Sequence, residues 1–175
     1  MTIHRIFEEI DGIELYAVQY EGEERNEYDR LMDSWTDVDH LRNYAKAHQV
    51  ADVDRFVRQI LTAAEEIDDF LQSFNPATDG LDEFFKPLSN LDSGIGKDLN
   101  SRKGRIDGNI LRLYAIRLDQ NFFLITGGAV KMSLEMRDHP DTERELQKIQ
   151  TVRSYLKENG VFDDDSFIDF IQDAE

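Results

Sequence analysis

The sequence predicts an α+β fold in which an antiparallel sheet is packed by helices. Two long apolar segments, Ile110–Leu118 and Phe122–Met132, are separated by only three polar residues and predict a central hairpin. Two other segments, Asp52–Phe74 and Thr142–Glu158, have apolar residues at helical spacing and predict the helices that cover this sheet. A chain of 175 residues is long enough to bury a substantial hydrophobic core.

The first 50 residues predict an acidic β-hairpin followed by two short helices. The strand-like segments Ile3–Glu9 and Ile13–Tyr20 flank Asp11-Gly12, a pair typical of tight turns. Apolar residues then recur every three or four positions, which is the spacing of one helix face. The first helix has Tyr28, Leu31, Met32 and Trp35 on this face, and the second has Val38, Leu41, Tyr44, Ala45 and His48.

We interpret the chain as three segments of one compact unit. Residues 1–50 form the acidic hairpin and helices, residues 51–160 the α+β core, and residues 161–175 an acidic C-terminal helix. Because that last helix is amphipathic, we expect it to dock on the body of the protein rather than to recruit a partner.

Three local features refine the predicted core. The polar segment Leu88–Gly108 predicts a loop. Gly127-Gly128 lies inside a predicted strand and indicates a β-bulge, which we favour over a role in cradling a ligand. Pro140 precedes the last long helix, and Thr142 with Glu145 matches the pattern of a capping box.

Composition excludes several classes of function. The chain has no cysteine, which excludes disulfides, thiol catalysis and cysteine-ligated metals. No apolar segment approaches the length that spans a bilayer, and the acidic N-terminus does not resemble a signal peptide, so we expect a cytoplasmic protein without membrane contact. Asp37, Asp39 and His40 could supply metal ligands, but acids at a helix start are favoured by the helix dipole. We therefore predict no metal and no cofactor.

The net charge of −17 is distributed unevenly along the chain. Residues 1–95 hold 8 Lys and Arg against 22 Asp and Glu, whereas residues 96–153 hold 11 against 8. Such an acidic protein is repelled by nucleic acids and anionic membranes overall, and we predict no DNA partner. The basic segment nevertheless coincides with the predicted hairpin.

The basic residues of this segment are candidates for binding an anion. They are Lys97, Arg102, Lys103, Arg105, Arg112, Arg117, Lys131 and Arg137. Arg112 and Arg117 lie on opposite faces of one strand because their separation is odd, so at most one of them shares a face with Lys131. A charge on an apolar strand must reach solvent, a carboxylate or an anionic ligand. An Asp or Glu partner and an RNA phosphate both remain open at this stage.

The second half of the chain resembles the RelE/HigB-type toxin superfamily. The resemblance lies in FFKPL (Phe84–Leu88), in LRLYAIRLDQNFFLITGGAVKMS (Leu111–Ser133) and in the helix that Pro140 begins. In that family a KPL element precedes the sheet, an R-x-x-Y strand pairs with an apolar strand that ends in lysine, and a P-x-x-E helix follows. The chain also resembles a group of Bacteroidetes proteins with a WLRLYAI/ITGGAIK signature, although Asn109-Ile110 stands where that signature begins with Trp.

This resemblance implies metal-independent cleavage of mRNA on the ribosome. By position, Arg112 and Lys131 would stabilise phosphate charge, and Tyr114 would be the aromatic residue of the site. The remaining basic residues, Lys97, Arg102, Lys103, Arg105, Arg117 and Arg137, would bind the RNA. The chain departs from the pattern because Met132 stands where the family has a second lysine.

Three hypotheses follow from these observations. The first is a toxin-related ribonuclease or ribosome-binding protein, whose acidic N-terminal part guards the basic face. The second is a non-catalytic interaction protein of a toxin–antitoxin module, with an antitoxin or other protein partner. The third is an unrelated acidic binding protein. Only the first predicts a contiguous positive patch that contains Arg112 and Lys131.

Overall fold

The structure is a computed structural model that describes residues 1–7, 14–75, 80–88, 99–119, 122–132 and 140–174. The strands within these ranges are β1 (Thr2–Ile6), β2 (Glu14–Gln19), β3 (Phe85–Pro87), β4 (Asn100–Gly104), β5 (Leu111–Asp119) and β6 (Phe122–Val130). The helices are α1 (Glu27–Thr36), α2 (Val38–Ala47), α3 (Val53–Gln72), α4 (Leu81–Phe84), α5 (Pro140–Glu158) and α6 (Asp164–Ala174). The predicted α+β class is confirmed.

All of these strands belong to one sheet with the order β1-β2-β6-β5-β4-β3. Neighbouring strands are antiparallel except β2 and β6, which are parallel. The sheet is therefore mixed, and the prediction of a purely antiparallel sheet is wrong at this one pairing. Parallel neighbours need a long crossover connection, which here includes α1, α2 and α3. Strands from residues 1–50 and 51–160 thus lie side by side in one sheet.

Each face of the sheet has its own hydrophobic cluster. On one face, the apolar stripes of α1, α2 and α3 pack against the side chains of Leu15, Leu113 and Ile125. On the other face, α5 and α6 pack against Tyr114 and Leu124. Because both sides of β5 and β6 are covered, their side chains are apolar in both directions, which explains their continuous apolar sequence.

The predicted helices begin at polar residues whose side chains cap them. Asn26, Asp37 and Asp52 each accept hydrogen bonds from main-chain N–H groups in the first turn of α1, α2 and α3. Asp37 accepts from the N–H groups of Asp39 and His40, which confirms the helix-start interpretation of that acidic group. The C-terminal helix also docks as predicted, because Phe167 is fully buried on the sheet.

Two local predictions are wrong. The segment predicted as a loop, Leu88–Gly108, contains β4, and β4 pairs with both β3 and β5. Polar residues tolerate this position because the outer strands of the sheet are only partly covered. The predicted start of the last long helix is also displaced, because α5 begins at Pro140, two residues before Thr142, and Glu145 contacts Lys148.

Candidate anion-binding face

Four basic residues lie together on the α5/α6 face of the sheet, and we call them the basic face: Lys103, Arg105, Arg112 and Lys131. Lys103 is directly opposite Tyr114 in the sheet, and Arg112 is directly opposite Ala129. The Lys131 N–H donates to the Ile110 carbonyl at 2.7 Å, which continues the β5–β6 ladder by one pair. Strand alternation then places Lys131 on the same side as Ala129 and Arg112.

The electrostatics of Lys103 show how close these cations are. Burial lowers the pKa of the Lys103 ammonium below 10.5, and the positive charges of Arg112, Arg105 and Lys131 lower this pKa further. Within the described part of the chain, neither Lys103 nor Lys131 makes an ion pair. Arg105 has a long, exposed pairing with Asp107 at 3.9 Å. The basic face is therefore positive and poorly neutralised by the protein.

Arg112 is held in place by the main chain rather than by an acid. Its side chain is 95% buried, and its guanidinium donates to the carbonyls of Asn109 and Leu111, the latter at 2.6 Å. No carboxylate of a described residue forms an ion pair with it. Burial and the charge of Arg105 lower the pKa of Arg112, whereas Tyr114 and Asp107 act in the opposite direction. The positive charge is thus fixed in position and has no acidic partner.

Tyr114, the aromatic residue implied by the toxin resemblance, lies in the core. It is fully buried in the hydrophobic cluster beneath α5, between β4 and β6. Its ring lies on the same side of the sheet as Lys103, its cross-strand partner, and as Arg112, two residues earlier in β5. A catalytic role for its hydroxyl stays a prediction.

Two of the other predicted RNA-binding residues, Arg102 and Arg117, lie outside the basic face. Arg117 lies on the opposite side of the sheet, as predicted, and makes two hydrogen bonds to Asp82, at 2.7 and 3.0 Å. Arg102 is also on that side, because it pairs with Ala115 and Pro87 across the sheet. Lys97 and Arg137 lie outside the described residues.

A second group of charges, missed by the sequence reasoning, lies where α1 and α5 meet beside β6. We call it the paired cluster: Glu27, Arg30, Glu145 and Lys148. The Lys148 ammonium contacts Glu27 Oε1 at 2.7 Å and Glu145 Oε1 at 3.0 Å, and Arg30 contacts Glu27 Oε1 at 2.5 Å. Charges of opposite sign alternate here, so the cluster is neutralised internally.

The glycine pair explains how Glu145 reaches this position. A Cβ atom on Gly127 would collide with the Glu145 carboxylate, and one on Gly128 would lie 2.8 Å from Leu31 and 2.9 Å from Trp35. The β5–β6 register shifts here, because Tyr114 is opposite Gly127 whereas Ala115 is opposite Ile125. The predicted bulge is confirmed, and the two glycines also admit side chains from both faces. They were the signal in the sequence for this cluster.

Glu145 is the least satisfied member of the paired cluster. It is only 4% exposed, and its Oε2 atom accepts no hydrogen bond from the described residues. Burial raises the pKa of the Glu145 carboxyl above 4.5, although the neighbouring Lys148 acts against this rise.

Comparison with protein families, with curated proteins and with solved structures finds no match to this chain, so the resemblance to RelE/HigB-type toxins stays an expectation. Among the described residues, no helix has the length and apolar character needed to cross a membrane. In the same part of the chain, no group of three or more His, Asp and Glu residues could hold a metal ion.

Proposed function

We propose that the protein binds RNA through the basic face, with phosphates placed against the partly exposed Lys103 and Lys131 and attracted by the buried charge of Arg112. The observation that supports this proposal is that none of the described carboxylates forms an ion pair with these three cations, in a chain of net charge −17. Like charges held close together raise the free energy of the folded state, and a bound anion lowers it. A buried arginine held by carbonyls offers a phosphate a charge that is already positioned.

RNA is the polyanion we propose because of the toxin resemblance and the distribution of charge. Arg112 and Lys131 are the positions at which RelE/HigB-type toxins have their basic strand residues, and both belong to the basic face. The acidic remainder of the chain repels a polyanion, so the basic face is the surface where RNA can approach. The acidic N-terminal part would then restrict how RNA is oriented.

Metal-independent cleavage of the bound RNA is a second candidate function. The arrangement that favours it is the position of Lys103 on the same side of the sheet as Arg112 and Lys131, where burial and these charges lower the Lys103 pKa. A lysine with a lowered pKa can accept a proton from the RNA 2′-hydroxyl as that oxygen bonds to phosphorus. The bond from phosphorus to the 5′-oxygen then breaks and this oxygen takes a proton from water, which leaves a 2′,3′-cyclic phosphate and a 5′-hydroxyl. Arg112 and Lys131 would stabilise the negative charge on the phosphoryl oxygens.

Binding is tested with a fluorescein-labelled 12-nucleotide RNA and DNA of the same sequence. We expect Lys103→Ala and Lys131→Ala each to weaken RNA binding by roughly tenfold at low salt and to reduce the salt slope by about 0.7. Lys157→Ala is the matched control, because Lys157 is an exposed lysine at the far end of α5. Equal affinities for all three variants would overturn the proposal.

Cleavage is tested separately with the same RNA in the presence of EDTA and on inducible expression in a bacterial host. We expect Lys103→Arg to keep RNA affinity but to abolish cleavage and growth arrest, because arginine retains the charge without acting as a base. The cleavage rate should rise with pH through the lowered pKa of Lys103, since only the neutral amine accepts the proton. Intact RNA and harmless expression would eliminate cleavage while leaving binding in place.

A further inference from the structure

The edge of β6 is left without a neighbouring strand after its first half. β2 pairs with β6 only as far as Ala17 opposite Ile125. At the bulge, the Tyr20 hydroxyl donates to the Thr126 carbonyl at 2.7 Å, so a side chain takes the place of a strand neighbour there. Beyond this point, Gly128 to Val130 are partly exposed, and none of the described strands lies beside them on the β2 side.

The ladder with β5 determines which peptide groups point toward this empty edge. Because Lys131 donates to Ile110, these two residues form a hydrogen-bonded pair of the antiparallel ladder. Hydrogen-bonded and non-hydrogen-bonded pairs alternate, so the N–H and C=O groups of Gly128 and Val130 point away from β5. No described residue donates to or accepts from these groups on the β2 side.

A cavity of about 280 Å³ lies against this edge, between α1 and α2 on one side and α5 on the other. Its wall includes the cations Arg30, Arg144 and Lys148 and the carboxylate of Glu145. Arg30 and Lys148 already pair with Glu27 and Glu145, so Arg144 is the cation of this wall that makes no ion pair with a described residue. The cavity is closed at the bulge, where Lys148 lies 5.5 Å from the Tyr20 ring centroid and joins α5 to Glu27 of α1. At the other end, Val130 leads out of the cavity to Lys131.

We propose that this edge accepts a short extended segment of a partner protein, with acidic side chains, as an additional strand. The outward groups of Gly128 and Val130 repeat every second residue, which is the spacing at which an extended peptide presents its own N–H and C=O groups. Arg144, which makes no ion pair with a described residue, favours carboxylate side chains on the bound strand. Because the Glu27–Lys148 pair closes one end, pairing is limited to about three residues of the partner.

The probe is an acetylated and amidated Glu-Val-Glu-Val-Glu peptide, titrated into ¹⁵N-labelled protein. We expect the amide signals of Gly128 and Val130 to shift. Two N-methylated versions, one modified on both valines and one on all three glutamates, each remove the N–H donors of one peptide edge. Only one edge can pair with β6, so one version should bind at least tenfold more weakly and the other should retain affinity. Equal binding by both versions would overturn the proposal.

Variants of the protein provide the second arm of the experiment. Val130→Pro removes an outward N–H without removing a bond of the β5 ladder, and we expect it to reduce peptide affinity at least tenfold. Val130→Ile keeps the N–H and is the matched control. Arg144→Glu should lower the affinity for the acidic peptide and raise the affinity for a Lys-Val-Lys-Val-Lys peptide. If Val130→Pro does not fold, the N-methylated peptides alone decide the proposal.

Two further outcomes identify other occupants. Dimerisation of the peptide-free protein that is abolished by Val130→Pro would assign the edge to a second copy of this chain and overturn the partner proposal. Displacement of the peptide by millimolar inorganic phosphate would reveal a simple anion site and would also overturn it. Lys103→Ala, which weakens RNA binding, should leave peptide binding unchanged, so this inference and the proposed function fail independently.

Discussion

The basic face, on β4, β5 and the end of β6, and the paired cluster, on α1 and α5, are two dense groups of charge that differ in sign pattern. In the paired cluster, Lys148 lies between Glu27 and Glu145, and each charge has an opposite neighbour. In the basic face, burial lowers the pKa of Lys103, and the positive charges of Arg112, Arg105 and Lys131 lower it further. The charges of the paired cluster neutralise one another, whereas no described carboxylate forms an ion pair with Lys103 in the basic face.

This difference separates a structural arrangement from a candidate binding site. An alternating cluster lowers the free energy of the folded protein, and removal of one member leaves a buried charge without its partner. A cluster of one sign raises that free energy until an anion binds. Mutations should therefore have opposite effects on stability in the two places.

The largest effect is expected for Gly127→Ala. The added methyl group would displace the Glu145 carboxylate from Lys148, because a Cβ would lie 2.8 Å from Glu145 Cδ. We expect a loss of about 3–5 kcal/mol in the free energy of unfolding, measured by urea denaturation. The double variant Gly127→Ala/Glu145→Ala should lose less than the sum of the two single variants. Additive losses would show that Gly127 and Glu145 are not coupled.

A smaller effect is expected in the pH dependence of stability for Glu145→Gln. Because the folded-state pKa of Glu145 is raised above 4.5, its contribution to stability is fully present below that unfolded value and is lost as pH rises through the folded pKa. The free energy of unfolding of the wild type, relative to Glu145→Gln, should thus fall between pH 4.5 and the raised pKa. Urea denaturation at several pH values measures this difference. A difference that grows with pH would contradict the raised pKa.

The basic face should respond in the opposite sense. We expect Lys103→Met to raise the free energy of unfolding by about 0.5 kcal/mol at low salt, because it removes a charge that is repelled by its neighbours. High salt should reduce this gain by screening the repulsion. Thermal unfolding with and without the 12-nucleotide RNA provides the measurement, and RNA should stabilise the wild type more than the variant. A destabilised Lys103→Met would mean that the basic face is not repulsive.

The smallest effect is expected for Asp82→Asn on the opposite side of the sheet. Arg117 and Asp82 form a partly exposed pair, and such pairs contribute about 0.5 kcal/mol. Chemical denaturation should show a loss of that order, and RNA affinity should not change. A weaker RNA complex in Asp82→Asn would mean that the RNA-binding surface also includes this side of the sheet and is not limited to the basic face.

Much of the local structure could be predicted from the sequence, because it depends on neighbours along the chain. The apolar stripe from Val53 to Leu71 determined α3, and the alternation of residues determined that Arg112 and Arg117 lie on opposite faces. The Gly127-Gly128 pair indicated the bulge. β4 was missed, since its polar sequence forms a strand only through pairing with β3 and β5.

By itself, the sequence determined the helices, the central hairpin and the presence of a basic segment in an acidic chain. Only the tertiary structure decided that β2 lies parallel to β6, that Glu27 meets Lys148 across 121 positions, and that Lys103 lies near Arg112 without an ion pair to any described acid. The spacing of apolar residues along a helix or strand follows from backbone geometry and can be seen within a short segment of sequence. The contacts just named join residues far apart in the sequence, so they depend on the path of the chain between them. The free edge of β6 arises in the same way, because β2 separates from it after Ala17.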